Sequence, residues 1–188
     1  MQPRRTNSAN IPPMDLANEF AKRGLKPATN LRTVHLTFTP WGRGADFQRE
    51  RDAALMLRIL YQVSSNHDIF LQEAAVMPDH VHLLVSFDAT RNLEQDIVKN
   101  LKGASARYFL QETKSTDGRL WGNKKHFEEI TSPQQFVSVT RYIQENPIRA
   151  KISPERRVLS SLAAGFNPPA AEFIPRHTGG HAHLSHSA

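Results

Sequence analysis

Residues 77–87 read Met77-Pro78-Asp79-His80-Val81-His82-Leu83-Leu84-Val85-Ser86-Phe87, and this stretch decides the fold. The Pro-Asp pair is typical of a turn, and the alternation of side chains after it predicts a β-strand. Successive side chains of a strand point to opposite faces, so one face carries the apolar residues Val81, Leu83, Val85 and Phe87. His80 and His82 then lie side by side on the other face, where two imidazoles can bind one divalent metal.

The His-x-His spacing alone is a weak signal. Nine histidines in 188 residues give about 0.4 such pairs by chance, and the chain has a second pair, His181-Ala182-His183. That second pair lies among Gly, Ser and His with no strand pattern, and we interpret it as part of a polar end. The alternative for the first pair is two ordinary strand histidines on a half-solvated face.

The composition excludes several classes of site and favours an anionic partner. The chain has no cysteine, which excludes disulfides, thiolate metal sites and cysteine nucleophiles. No apolar run approaches the ~20 residues of a membrane span, and residues 1–10 lack the apolar stretch of a secretory signal. We therefore expect a cytoplasmic protein without membrane contact. The formal charge of +6 favours nucleic acid as the partner.

The pattern along the chain predicts a folded domain at residues 31–152 between a basic flexible tail at 1–30 and an irregular, disordered tail at 153–188. Strands are predicted at 33–39, 69–77 and 126–131 in addition to the histidine strand, and the 69–77 strand should pair with it as a hairpin. Helices are predicted from an N-cap at Asp46, from an N-cap at Asn92, and from Ser132 to about Glu145, where Pro147 should end the helix.

Tyr142 lies on the last predicted helix, away from its apolar stripe. Phe136, Val139 and Ile143 form that stripe, whereas Tyr142 and Asn146 are four residues apart and share another face. An amphipathic tyrosine at the edge of the core would also fit this position.

Four segments of the chain resemble the HUH-type single-tyrosine transposases, which comprise insertion-sequence transposases acting on single-stranded DNA and the repeat-associated tyrosine transposases. The segments are the first strand and turn at 33–43, the His-hydrophobic-His strand, the helix segment at 101–107, and the stretch 121–127 followed by Arg141-Tyr142-Ile143-Gln144-Glu145-Asn146-Pro147-Ile148-Arg149-Ala150. They occur in the family's order and cover about residues 31–152. Both branches of the family match, and we leave the branch open.

The resemblance implies an α+β fold, with a central antiparallel sheet flanked by helices in the HUH-endonuclease (ferredoxin/RRM-like) architecture. It implies that His80 and His82 bind Mg²⁺ or Mn²⁺, that Asn146 completes the metal site, and that Tyr142 is the nucleophile. The implied activity is metal-dependent nicking and rejoining of single-stranded or hairpin DNA through a 5′-phosphotyrosine. It also allows a homodimer and association with the nucleoid. The cations expected to contact DNA are Lys99, Lys102, Arg107, Lys124, Lys125, Arg141 and Arg149.

Several alternatives share parts of this pattern. A domesticated repeat-associated protein would bind or process hairpin DNA, and a rolling-circle-type nickase would use the same His-x-His chemistry. The histidine-triad hydrolases need a third alternating histidine, but Leu84 occupies that position. A two-histidine phosphodiesterase would need two His-x-Thr motifs, and only His35-Leu36-Thr37 fits. We therefore interpret His35 as a strand residue.

Overall fold

The computed structural model describes residues 28–43, 46–116, 118–152 and 159–161, together with positions 22 and 24. Most of the two predicted tails lies outside the described residues. The strands are β1 (Leu31–Pro40), β2 (Phe70–Val76), β3 (Val81–Asp88), β4 (Trp121–Glu129) and β5 (Leu159–Ser161). Within the continuous described ranges the α-helices are α1 (Glu50–Asn66), α2 (Glu94–Thr113) and α3 (Pro133–Arg149), and a short 3-10 turn spans Trp41–Arg43.

In the described part of the chain the strands form one antiparallel sheet of order β4-β1-β3-β2-β5. The predicted α+β class and the β2–β3 hairpin are confirmed, and the hairpin turn is closed by a hydrogen bond from Met77 N to His80 O of 2.8 Å. The prediction of an irregular C-terminal segment is wrong at Leu159–Ser161. This short strand pairs with β2, because the backbone at the edge of a sheet can pair with a further segment.

The sheet is covered on both faces, and alternate side chains of β3 contribute to the hydrophobic cluster on each face. Val81, Leu83, Val85 and Phe87 pack into the main hydrophobic core with α1 and α2, as the alternation predicts. On the other face Leu84 joins Ala75, Met77 and Ile143 in a smaller apolar cluster. Partly buried Phe136 and Val139 pack against that cluster, so α3 docks through the predicted stripe. Of the described helices, none combines the length and apolar character needed to cross a bilayer.

Two predicted helix starts are wrong. Helix α1 begins at Glu50 rather than at Asp46, because Phe47 is held in the core beside Phe109 and Trp121, with ring centroids 5.4 and 5.7 Å away. Helix α2 begins at Glu94, after an N-cap residue that makes no side-chain hydrogen bond. Asn92 instead donates its amide to the His67 carbonyl at 3.3 Å, which joins the start of α2 to the end of α1.

The predicted bounds of β4 and α3 also need correction. Strand β4 begins at Trp121 rather than at residue 126, since its first residues pair with β1 around an irregularity near Phe38 and Pro40. Ser132 caps α3 as predicted, with its hydroxyl accepting from Gln135 N at 3.2 Å. The helix then continues through Pro147 to Arg149. A proline so close to a helix end removes one hydrogen bond of the last turns, and the Pro147 side chain is buried.

Candidate active site

His82 lies in the middle of the sheet, on the face toward α3. Its Cα partner across β1 is Thr37. The hydroxyl of Thr37 lies 3.1 Å from His82 Nδ1, and His35 Nε2 lies 3.2 Å from the same atom. The Nε2 atom of His82 is buried and has no hydrogen-bond partner among the described residues. Two neighbours therefore fix the ring through Nδ1 and leave Nε2 available as a ligand atom.

His80 precedes β3 and turns its ring toward His82. The two ring centroids are 4.7 Å apart, with the planes nearly perpendicular at 89°. His80 Nδ1 lies 2.7 Å from the Asp79 carboxylate, which favours a proton on Nδ1 and a lone pair on Nε2. A carboxylate on the second nitrogen is the usual way to orient a metal-binding histidine.

The charge state of His82 suits metal binding as well. Burial, and secondarily the neighbouring imidazoles of His80 and His35, lower the pKa of His82 to about 3. The ring is therefore neutral at pH 7, and only a neutral imidazole binds a metal. The orphaned Nε2 atom and the carboxylate-oriented His80 together fit the divalent ion that the sequence resemblance implies.

Tyr142 projects from α3 over the same face of the sheet. Its ring centroid lies 5.3 Å from that of His82 and 6.1 Å from that of His35, and 40% of the residue is exposed. The structure thus brings the phenol and the imidazole within one phosphate's reach in a single chain. Because α3 does not stop at Glu145, Asn146 lies one helical turn beyond Tyr142.

Asn146 has a buried side-chain nitrogen without a hydrogen-bond partner among the described residues. Rotating the amide exchanges this nitrogen for Oδ1, which is the atom a hard cation would bind. Asn146 therefore has an unused polar group on the helix that carries the tyrosine.

Four residues of this face are not among the residues predicted to act in the site. His35 lies opposite Glu128 in the β1–β4 register, and Thr37 lies opposite His126. His35 lies on strand β1 as predicted, and its ring also stacks on His82 at 5.3 Å between centroids and lies 5.5 Å from His126. The strand predicted at 126–131 already places His126 and Glu128 on one face, but only the register between strands shows that they meet His35.

The seven cations predicted to contact DNA do not gather on one surface. Arg149 lies beside the tyrosine, with its guanidinium carbon 6.0 Å from the Tyr142 ring centroid and a 2.6 Å ion pair to Glu145. Arg141, which directly precedes Tyr142 on α3, is exposed, and Lys124 and Lys125 are exposed on the edge strand β4. Lys99, Lys102 and Arg107 belong to α2, which packs on the opposite face of the sheet. Burial, and then the charges of Lys125 and Arg119, lower the pKa of Lys102.

The two tryptophans have different surroundings. Trp121 is buried and donates its indole N–H to Ser105 at 2.9 Å, which is a core role. Trp41 is 54% exposed, and the Arg119 guanidinium lies 3.8 Å from its ring centroid. Trp41 is thus the tryptophan whose ring could stack on an unpaired base.

Comparison with known proteins gives three findings. The family model for IS200-like transposases matches residues 28–146, a range that includes His80, His82, Tyr142 and Asn146. The ISDra2 transposase TnpA of Deinococcus radiodurans is 39% identical over 90 residues, covering 46% of this chain and 64% of that protein, so the match spans less than two thirds of the relative. The structure of a REP-associated tyrosine transposase bound to a REP hairpin aligns with a TM-score of 0.51 at 13% identity, over 66% of this chain and 72% of that chain. At that identity the likeness concerns the fold.

Proposed function

Because the chain belongs to the IS200-like transposase family, we propose that it nicks and rejoins single-stranded DNA at hairpin-bearing ends through a tyrosine–DNA intermediate. The observation that carries the proposal is the 5.3 Å separation of the Tyr142 and His82 rings within one chain. Activity at a DNA target would place the protein at the nucleoid. A protein of the same fold binds a REP hairpin, and a foldback hairpin is the substrate class we propose here.

In the proposed reaction the Tyr142 oxygen attacks a backbone phosphorus. The phenol loses its proton as the bond from the tyrosine oxygen to phosphorus forms, the bond from phosphorus to the 3′ oxygen breaks, and the departing 3′ oxygen takes up a proton, so the step consumes no net proton. The product is a 5′-phosphotyrosine and a 3′-hydroxyl. Because the covalent link preserves the phosphodiester energy, a second 3′-hydroxyl can displace the tyrosine without a nucleotide cofactor.

His80 and His82 would hold Mg²⁺ or Mn²⁺, with the Asn146 amide oxygen as a third ligand. When bound, the ion withdraws negative charge from the scissile phosphate and stabilises the leaving oxygen. Thr37 and Asp79 orient the two imidazoles through their Nδ1 atoms. Arg149 places a positive charge near the tyrosine, where a phosphate oxygen of the substrate would lie. The cations on the two faces of the sheet would contact different parts of a folded hairpin.

The test uses a hairpin oligonucleotide labelled at its 3′ end and incubated with Mn²⁺. Wild-type protein should acquire the label covalently, and Tyr142→Phe should lose the adduct while it still binds the oligonucleotide. The chain has three tyrosines, so Tyr108→Phe is a matched control. Tyr108 lies on α2, where its hydroxyl accepts a hydrogen bond from Arg107 at 2.8 Å, and the Tyr108→Phe protein should still form the adduct.

His80→Ala should abolish nicking in Mn²⁺. A labelled adduct in Tyr142→Phe would refute the assigned nucleophile, and nicking that survives EDTA would refute the metal role. A domesticated hairpin-binding protein would bind the oligonucleotide and form no adduct in any variant.

A further inference from the structure

A second group of metal-binding side chains lies beside the proposed active site. His35 on β1 faces Glu128 on β4, with 3.8 Å between His35 Nδ1 and the carboxylate, and His126 Nε2 lies 3.4 Å from the same carboxylate oxygen. One donor atom from each of the three residues lies within 4.8 Å of the other two. Helix α3 packs mainly over β2 and β3 and reaches β4 through the Gln135 amide, which donates to Glu128 Oε1 at 2.9 Å. The other carboxylate oxygen of Glu128 faces the two histidines, and 56% of the His126 side chain is exposed.

The donor set is suited to zinc. Ligand atoms 2.0–2.2 Å from a tetrahedral ion are about 3.3–3.6 Å apart. The two contacts of Glu128 with the histidines, at 3.8 and 3.4 Å, are already close to this separation, and the two histidine nitrogens lie within 4.8 Å of each other. Two imidazoles and one carboxylate suit Zn²⁺, whereas Mg²⁺ prefers oxygen ligands and keeps its waters. Burial, and then the charge of His126, lower the pKa of His35, which keeps that ring neutral. Hydrogen bonds from His126 and Gln135 lower the pKa of Glu128, which keeps it ionised.

We propose that His35, His126 and Glu128 form a second divalent-metal site, selective for zinc, and that zinc bound there prevents the His80–His82 pair from binding its own metal ion. The effect on that pair rests on its proposed function, whereas the zinc site itself does not.

The two sites cannot both hold a metal ion, because only one proton can lie between His35 Nε2 and His82 Nδ1, which are 3.2 Å apart. His35 would bind zinc through Nδ1, the atom that faces Glu128, so its own proton lies on Nε2. That N–H points at His82 Nδ1, 3.2 Å away, and donates to it. A neutral His82 that accepts at Nδ1 carries its proton on Nε2, and this is the atom that must be bare to bind the catalytic ion.

The reverse state follows from the same contact. When His82 binds an ion through Nε2, its proton lies on Nδ1, and a second N–H on His35 Nε2 cannot face that proton across 3.2 Å. His35 must then present a bare Nε2, so its proton moves to Nδ1 and faces Glu128. In that state His35 Nδ1 cannot bind zinc, and the second site loses one of its three ligands.

The experiment measures ZnCl₂ binding to the full chain by calorimetry, with Co²⁺ absorption to report the ligand set. Zinc should bind wild type and His80→Ala alike, and His126→Asn should weaken binding at least tenfold. His126→Asn is suitable because the side chain is mostly exposed, and its circular dichroism and urea midpoint should match wild type. Mn²⁺ binding to the His80–His82 pair is followed by electron paramagnetic resonance, which needs no activity.

Equimolar zinc in the presence of excess Mn²⁺ should reduce Mn²⁺ binding to wild type at least tenfold and leave His126→Asn unaffected. Equal zinc affinity in wild type and His126→Asn would overturn the site. Equal loss of Mn²⁺ from both proteins would overturn the coupling, because it would mean direct displacement at His80 and His82. If wild type fails to nick DNA, the proposed function fails, and the two binding measurements still decide the zinc site.

Discussion

The hydroxyl of Thr37 offers a direct test of how the sheet orients His82. It lies 3.1 Å from His82 Nδ1, and the two residues are cross-strand partners. Thr37→Val removes the hydroxyl but keeps the β-branched shape that suits a strand. The substitution therefore changes one hydrogen bond to the ring and leaves the packing of β1 almost unchanged.

The expected effect is on metal affinity. Losing a hydrogen-bond partner of a metal-binding residue typically costs 10–100-fold in affinity, which corresponds to about 1.4–2.7 kcal/mol. His35 Nε2 remains 3.2 Å from His82 Nδ1 and can still accept its proton, so we expect a loss of about tenfold, at the lower end of that range. At saturating Mn²⁺ the nicking rate should return to near the wild-type value, since the change does not touch Tyr142.

The assay is a Mn²⁺ titration followed by electron paramagnetic resonance, with nicking measured across the same concentrations. Thr33→Val is the matched control, because Thr33 is on the same strand and face but its hydroxyl bonds Ser86 at 2.7 Å. Unchanged affinity in Thr37→Val would refute the orienting role. An equal loss in both variants would show that the effect comes from the strand and not from His82.

Two further outcomes follow from the site. The pKa of His82 is about 3 in the folded state, against an ordinary value of 6.5. Between these two pH values the unfolded state binds more protons than the folded state, so lowering the pH favours unfolding. The free energy of unfolding of the metal-free protein should therefore fall by about 2 kcal/mol from pH 7 to pH 5. Urea unfolding in EDTA should show this slope, and His82→Gln should reduce it, leaving the contribution of His35, whose pKa is also lowered. Mixing Tyr142→Phe with His80→Ala should restore no nicking, because both groups act in one chain, whereas a site shared between two chains would restore about a quarter of the activity.

The sequence predicts what depends on local periodicity. The alternation after Pro78 predicts both faces of β3, and the Ser132 cap and the Phe136, Val139, Ile143 stripe predict how α3 starts and docks. These features need no knowledge of distant residues, because spacing along one element decides them.

The errors come from tertiary contacts that outweigh local signals. Asp46 and Asn92 are good N-cap residues, but the burial of Phe47 and the bond from Asn92 to the His67 carbonyl move both helix starts. Pro147 is tolerated because it lies near a helix end and its side chain is buried. The triad of His35, His126 and Glu128 depends on the β1–β4 register, which cannot be read from either strand alone.

The geometry of the site depends on two supports of unequal strength. His82 is held within a sheet whose other face packs into the main core, and Thr37 and His35 fix its ring from the neighbouring strand. Tyr142 is held by the docking of α3, which packs through the smaller cluster around Leu84 and Ile143 and through hydrogen bonds at the surface of the sheet such as that from Gln144 to Glu73 at 2.7 Å. Local opening follows the least buried contacts first, so α3 should leave the sheet before the strands separate. Movement of this helix would then carry the nucleophile away from the imidazoles while they remain in place.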